Sequence, residues 1–105
     1  MKASEIVYTQ TNVKLCAICG KPMAETHHVI YGTSQRRLAD EDGLTMPLCR
    51  DCHKAIHYNG ELGELSKMFG QLMYEYWWMA DFGDADTLMK QARESFVSRY
   101  GRSYL

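Results

Sequence analysis

The spacing of apolar and polar residues changes near residue 60, and each half of the chain predicts its own kind of element. Before that point, the apolar runs at residues 26–31 and 44–48 are short and lie between Gly, Pro and polar residues, which predicts two strands joined by a loop. Residues 50–58 have the spacing of a short helix that an Asn-Gly pair ends. A further short strand is predicted at residues 5–8.

After residue 60 the chain predicts two amphipathic helices, because apolar residues recur at spacings of three and four. The two rows are Leu62, Leu65, Met68, Leu72, Tyr76 and Met79, then Ala85, Leu88, Met89, Ala92, Phe96, Val97 and Tyr100. Asp84 is placed to cap the second helix and Gly101 to end it. Gly70, inside the first helix, indicates close packing or a kink.

A stripe of Met and aromatic residues also follows the first of these helices. Its members are Met68, Phe69, Met73, Tyr74, Trp77 and Trp78. We interpret the stripe as part of the core, because residues 1–60 are too few to cover these helices in any other way. A partner-binding face is the alternative.

The composition is that of one small globular domain. The 105 residues are 46% hydrophobic, and no apolar run approaches the ~18 residues that a membrane helix needs. The N-terminus lacks the apolar core of a signal peptide, so we expect a cytoplasmic protein. A formal net charge of −1 neither indicates nor excludes nucleic acid as a partner. We expect residues 1–60 to form the core and residues 61–105 to form a two-helix extension packed on it.

All four cysteines occur in two Cys-x-x-Cys pairs, Cys16 with Cys19 and Cys49 with Cys52. Each pair places two thiolates on one tight turn, and two such turns complete a tetrahedral zinc site. The 29 residues between the pairs exceed the ~15–20 of a common zinc ribbon, so they must form a structural unit of their own. Four thiolates leave no open position, so this zinc is predicted to be structural. Two disulfides or four free thiols are the alternatives.

All four histidines lie within one 31-residue stretch, as His27, His28, His53 and His57. Neighbouring side chains on a strand point to opposite faces, so His27 and His28 should have different roles. His53 and His57 are four residues apart on a predicted helix, so both imidazoles can bind one ion. A strand histidine beside this pair gives three imidazoles with open positions, which is a catalytic arrangement. Ordinary surface or zinc-turn histidines are the alternative, with His53 replacing a cysteine on the zinc.

The order of these residues resembles the HNH endonuclease family, which has the ββα-metal or His-Me finger fold. The resemblance covers roughly residues 14–60. It rests on Cys16 to Cys19, then His27-His28-Val-Ile, then Leu48-Cys49-Arg-Asp-Cys52-His53. Within that family the chain is most similar to phage-borne, recombination-enhancing nucleases of the RecA-dependent type, through residues 38–49 and 96–105.

The resemblance implies a fold, an activity and a role for each histidine. The fold is α+β, a small ββα-metal core with a four-cysteine zinc staple and C-terminal helices. The activity is that of a metal-dependent DNA endonuclease, borne by a phage or prophage and linked to DNA recombination or processing. His28 becomes the general base that deprotonates the attacking water. His27 and His53 become ligands of the catalytic ion, and His57 matches members with a second helix histidine.

The same resemblance implies the cofactors and partners. The cofactors are a structural Zn²⁺ and a catalytic divalent ion, which is Mg²⁺, Mn²⁺ or Zn²⁺. The partner is DNA, with a recombinase filament as a further partner, and the oligomeric state is left open. Four basic residues are candidates for contacts with DNA phosphates: Arg36, Arg37, Arg50 and Lys54. Ordinary solvated charges are the alternative for each, and phosphate contacts predict no sequence preference.

The chain departs from the family at one position. The family has an Asn shortly before the second cysteine pair, which orients the loop and the base, whereas this chain has Asp42-Gly43-Leu44. Either Asp42 replaces the Asn by hydrogen bonding, or the backbone alone holds the loop. The rival hypothesis is a non-catalytic zinc module that binds nucleic acid or protein. The missing Asn and the near-neutral charge favour this rival, and the four histidines disfavour it.

Overall fold

The computed structural model of the protein describes Ala3 and residues 15–22, 24–32, 34–82 and 86–105. Its elements are, in chain order, β1 (Glu25–His28), α1 (Gln35–Asp42), β2 (Thr45–Leu48), α2 (Arg50–Tyr58), α3 (Gly60–Phe82) and α4 (Asp86–Tyr100). The described residues form a small α+β protein, as the sequence predicts. The predicted strand at residues 5–8 and the capping Asp84 lie outside the described residues. No described helix is both long enough and apolar enough to cross a membrane.

The two strands pair in an antiparallel sheet that carries two of the histidines. The register places His27 opposite Met46. Side chains alternate along β1, so His27 is buried whereas His28 lies on the other face and is partly exposed. The first cysteine turn is tied to this sheet, because the backbone N–H of Ala17 donates to the carbonyl of Pro47 at 2.7 Å. The sheet therefore connects the histidine pair to the cysteine turns.

The segment between the strands is helical, although a loop is predicted there. Most of the eight residues of α1 are charged or polar, so apolar spacing gives no helical signal in the sequence. Ala39 is fully buried in the core and Leu38 packs against it, so tertiary contacts supply the stability that local spacing does not. Arg36 and Arg37 therefore stand on a helix, and their predicted position in a loop is wrong.

The C-terminal end of α4 holds the C-terminal end of α1 in place. The buried Asp42 carboxylate accepts hydrogen bonds from the Arg99 guanidinium at 2.6 Å and from the Tyr100 hydroxyl at 2.7 Å. Arg99 also donates to Glu41 at 2.8 Å. The hydrogen bond to Asp42 raises the pKa of Arg99, and burial raises the pKa of Tyr100. Both groups therefore keep their protons at neutral pH and can donate to Asp42.

Helix α3 packs closely on the chain that leaves β1. It runs without a break from Gly60 to Phe82, and Gly70 lies against the side chains of Val29 and Ile30. A Cβ added at Gly70 would stand 2.6 Å from Ile30 Cγ1 and 2.8 Å from Val29 Cγ2. Of the two explanations offered for this glycine, close packing is the one observed.

Buried residues from both halves of the chain belong to one core. Its larger members are Val29, Ile30, Leu44, Met46, Leu48, Ile56, Met73, Tyr74, Phe96 and Tyr100. Phe69, Trp77 and Trp78 are partly buried against it, which agrees with the interpretation of the Met and aromatic stripe as core. The rings of Phe96 and Tyr100 stack with centroids 4.6 Å apart, and this pair joins α4 to α3 through Tyr74.

The apolar row that predicts α3 is not its buried face. Leu65 and Tyr76 are each 57% exposed, whereas the polar Gln71 and Glu75 are buried. The Gln71 side-chain oxygen accepts a hydrogen bond from the backbone N–H of Tyr104 at 2.6 Å. The inward face of α3 therefore combines polar anchors with aromatic residues, a pattern that hydrophobic spacing alone does not reveal.

The contact at Gly70 predicts that Gly70→Ala destabilises the protein. Overpacking costs about 1–3 kcal/mol, and the better helix propensity of Ala returns at most about 1 kcal/mol, so we expect a net loss of about 1–2 kcal/mol. Urea unfolding at constant zinc concentration measures it. Gly60→Ala is the matched control, because a Cβ there meets nothing within 4 Å. Equal stability of the two variants would contradict the packing described.

Candidate functional site

The four cysteines form one cluster, in which all four Sγ atoms lie within 4.8 Å of one another. The backbone N–H of Cys19 donates to Cys16 Sγ at 3.5 Å, and that of Cys52 donates to Cys49 Sγ at 3.4 Å. Cys49 is also the N-cap of α2. None of the four forms a disulfide. The cluster can hold a structural metal ion.

The thiols of this cluster do not ionise equally. Burial raises the pKa of Cys16, but hydrogen bonds from nearby backbone N–H groups outweigh it and lower that pKa to about 6. The hydrogen bond with the Cys49 sulfur, with burial, raises the pKa of Cys52 to about 12. Four thiolates this close repel one another, so a cation is needed for all four to lose their protons. The donor set thus matches a tetrahedral zinc ion.

A second cluster lies beside the sheet, where His27, His53 and His57 meet. One ring nitrogen of each lies within 4.8 Å of the others. The ring centroids are 5.0 Å apart for His27 and His53, 5.5 Å for His27 and His57, and 4.9 Å for His53 and His57. The structure therefore brings together the strand histidine and the two helix histidines. The sulfur cluster is composed of cysteines alone, so His53 does not replace a cysteine there.

The tautomer of His27 is determined by its neighbours. The Ser66 hydroxyl lies 2.8 Å from the carbonyl oxygen of Val29 and donates its proton to it. The Ser66 oxygen then accepts from Nε2–H of His27 at 2.9 Å. The proton on Nε2 leaves Nδ1 with a lone pair, and this buried atom has no hydrogen-bond partner among the described residues. Burial, aided by the other histidines, lowers the pKa of His27 to about 3, so the ring stays neutral.

The orientation of His53 is determined by a carboxylate. The Nδ1–H of His53 donates to Glu25 Oε1 at 3.1 Å, so in the neutral ring the lone pair is on Nε2. Burial, followed by the nearby His53, lowers the pKa of His57, so that ring also favours its neutral form. A buried lone pair without a partner is costly unless a cation or a proton donor meets it. The three imidazoles could hold a metal ion, and hydrogen bonds to neighbouring residues orient two of them, His27 and His53.

His28 faces away from this cluster and contacts α1. Its Nε2 lies 3.1 Å from Asp40 Oδ1 and donates to it, so in the neutral ring the lone pair is on Nδ1. Of the two alternatives for the missing family Asn, a hydrogen bond from Asp42 to the base is not observed, because Asp42 binds Arg99 and Tyr100 instead. The hydrogen-bonding partner of His28 is Asp40, which lies two residues before Asp42 in the sequence.

All four histidines line one pocket of about 680 Å³. Arg36 from α1 and both Arg50 and Lys54 from α2 also line it, together with the exposed ring of Tyr58. Arg37 is not among the lining residues and forms an ion pair with Glu41 at 2.7 Å. The structure therefore brings three of the four predicted phosphate contacts to the histidines.

Residues 4–82 match the profile of a family described as Protein of unknown function (DUF968), which is more than half of the chain's 105 residues. The chain belongs to the DUF968 family. No curated protein and no solved structure matches the chain. The matched region contains both clusters and all of α3, so the residues that surround the histidines all fall within the family's domain.

Three residues of the site are absent from the sequence-based prediction. Glu25 could have been found, because strand alternation puts it on the same face as His27. Asp40 lies 12 residues and Ser66 lies 39 residues from its histidine partner. No local spacing indicates either contact, because both depend on how helices pack against the sheet.

The sulfur cluster predicts that removal of its metal unfolds the protein. Structural zinc contributes about 10–16 kcal/mol of apparent binding energy in small zinc domains, more than the stability of most domains of this size. We expect a zinc-free chain under reducing conditions to lose its cooperative thermal transition, measured by circular dichroism with zinc counted by mass spectrometry. Zinc added back should restore the transition. A zinc-free chain with an unchanged transition would show that the cysteines do not support the fold.

Proposed function

We propose that this protein is a metal-dependent DNA endonuclease of the HNH type, which hydrolyses phosphodiester bonds. The single observation that supports this most strongly is the convergence of three imidazoles, two of which are oriented by hydrogen bonds to neighbouring residues. The Ser66 hydroxyl accepts a hydrogen bond from Nε2–H of His27, and the Glu25 carboxylate accepts one from Nδ1–H of His53. Such outer contacts raise the basicity of metal-bound histidines and hold their rings in place.

The histidine cluster fits a divalent ion. Nitrogen ligands about 2.0–2.1 Å from a common zinc ion stand roughly 3.4 Å apart in a tetrahedral arrangement. The three nitrogens lie within 4.8 Å, so small ring rotations are enough to close the set. Three protein ligands leave at least one position open, which distinguishes this cluster from the four sulfurs. An all-imidazole set favours Zn²⁺ over Mg²⁺, and Mn²⁺ lies between them.

Each residue of the pocket has its own role in the proposed reaction. His28, whose Nδ1 lone pair faces away from Asp40, accepts the proton of the attacking water as the oxygen–phosphorus bond forms. When bound, the divalent ion supplies Lewis-acid stabilisation of charge on the phosphate and the leaving oxygen. Arg36 and Lys54 neutralise neighbouring phosphates. The bond to the 3′ oxygen breaks, that oxygen gains a proton from solvent, and the products carry 5′ phosphates and 3′ hydroxyls.

Asp40 takes the place of the family Asn in this proposal. Its carboxylate holds the Nε2–H of His28 at 3.1 Å, which keeps the other nitrogen free for the proton of water. A carboxylate also stabilises the imidazolium that forms when His28 accepts that proton, which a neutral Asn does not do. The missing Asn therefore does not count against catalysis.

Substitution of His28 separates an enzyme from a binding module. We expect His28→Ala to bind as much metal as the natural chain but to nick supercoiled plasmid about 10²–10⁴-fold more slowly, since general base catalysis contributes that much. His57→Ala should lose both nicking and one exchangeable ion per chain. Nicking is followed with Zn²⁺, Mn²⁺ and Mg²⁺ in turn.

Two outcomes would count against this proposal. Undiminished cleavage by folded His28→Ala would remove His28 from the mechanism. One tightly held zinc per chain, no second ion and no nicking with any cation would favour the non-catalytic zinc module. Tyr76→Ala is a suitable control for handling and folding, because Tyr76 lies on the exposed face of α3.

The contact between Ser66 and His27 predicts a loss of metal affinity in Ser66→Ala. Without the hydroxyl, Nε2–H of His27 has no acceptor and either ring nitrogen can carry the proton. We expect Zn²⁺ or Co²⁺ to bind the histidine cluster about 10–100-fold more weakly, measured by calorimetry with the sulfur cluster already filled. Ser98→Ala, at an exposed position on α4, is the matched control. Unchanged affinity would mean that Ser66 serves packing alone.

A further inference from the structure

One side chain on the rim of the histidine pocket has no role in the chemistry proposed above. Tyr58 is the last residue of α2 and follows His57 directly. It lines the pocket, yet it is 86% exposed, and its ring makes no hydrogen bond or ring contact with the described residues. Tyr31, by contrast, packs its ring against His57 with centroids 4.9 Å apart. Tyr58 therefore presents an uncovered aromatic face beside the predicted ion.

The basic residues around this ring are few. Of the described lysines and arginines, five form ion pairs with carboxylates elsewhere: Lys21, Arg37, Lys67, Arg93 and Arg99. Arg50 lies in the pocket but stands 4.0 Å from the Glu25 carboxylate. Arg36 and Lys54 line the pocket and form no ion pair with any described residue. The described surface thus offers the pocket three phosphate contacts at most.

This footprint is small for a duplex. Proteins that bind double-stranded DNA commonly neutralise about 6–10 phosphates, and their affinity depends on those contacts. Proteins that bind single strands combine a short basic track with aromatic rings on which bases stack. Lys54 and Tyr58 stand four residues apart on α2, so they share one helix face. A phosphate contact and a stacking ring therefore lie side by side next to the histidines.

We propose that the substrate of this site is unpaired DNA, a single strand or the single-stranded part of a branched molecule, and that Tyr58 stacks on a base beside the scissile phosphate. Base faces are covered inside a duplex and are available only where the strand is unpaired. The ring of Tyr58 accordingly determines which DNA structure is bound, while Arg36, Arg50 and Lys54 contact its phosphates. This inference rests on the proposed nuclease function and specifies its substrate class.

Binding and cleavage are measured separately to test it. The full chain with His28→Ala, loaded with zinc, is titrated into a fluorescein-labelled 12-nucleotide strand and into a hairpin duplex of the same sequence. We expect the single strand to bind at least fivefold more tightly. The slope of log affinity against log salt should be about −2 for three contacts, since each contributes about 0.7 on single strands.

Substitutions at Tyr58 test the role of the ring in the same His28→Ala background. Tyr58→Ala is expected to weaken binding of the single strand about 5- to 150-fold, whereas Tyr58→Phe retains it, because stacking needs the ring and not the hydroxyl. Tyr76→Ala, which removes an exposed ring from α3, should leave binding unchanged. Duplex binding equal to or tighter than single-strand binding, no DNA binding, or full binding by Tyr58→Ala would overturn the inference.

Cleavage by the unsubstituted chain distinguishes the two proposals. A chain that binds unpaired DNA through Tyr58 but cuts no DNA with any divalent ion keeps this inference and refutes the nuclease. A chain that cuts duplex and single strand equally, with no effect of Tyr58→Ala, keeps the nuclease and refutes the preference for unpaired DNA.

Discussion

The contact between the two cysteine turns is the constraint on which the rest of the core depends. Cys16 and Cys49 lie at opposite ends of a long segment, yet their sulfurs meet within 4.8 Å. Closing a loop of this length costs about 3 kcal/mol of chain entropy, and four clustered thiolates add electrostatic repulsion. A zinc ion held by the four sulfurs would offset both, because such binding contributes about 10–16 kcal/mol in comparable small domains. Without that ion, a two-stranded sheet of four-residue strands has little to hold its ends together.

The sulfur cluster also positions the histidines, although it contains none of them. Its second turn is the N-terminus of α2, so an ion held by Cys49 and Cys52 would fix where this helix begins. His53 is the residue after Cys52, and His57 lies one helical turn further along. The first cysteine turn is hydrogen-bonded to β2, which pairs with the strand that carries His27. The structural cluster and the histidine cluster are therefore successive parts of one chain of contacts.

The spacing of residues along the chain predicts geometry within one turn or helix, but it does not predict contacts between elements that are distant in sequence. The two Cys-x-x-Cys pairs and the His53–His57 pair could be predicted because one turn or one helix face determines each geometry. Helix α1 could not, because its stability comes from the packing of Leu38 and Ala39 in the core and from the contacts of its acidic end with α4. The identity of the residue that contacts His28 was missed for the same reason: Asp40 and Asp42 are close in sequence, and only the docking of α4 assigns Asp42 to Arg99.

The polar residues on the inward face of α3 explain why its hydrophobic pattern misled the prediction. Ser66 and Gln71 are buried, and each forms hydrogen bonds with residues that are distant in sequence. Ser66 completes the contact with His27, so an element assigned to an extension determines which nitrogen of a core histidine is free. Residues 1–60 therefore carry the three clustered histidines, but the nitrogen of His27 that is protonated depends on a residue outside that range. A fragment that ends at residue 60 would keep all the histidines and lose the contact that prepares His27.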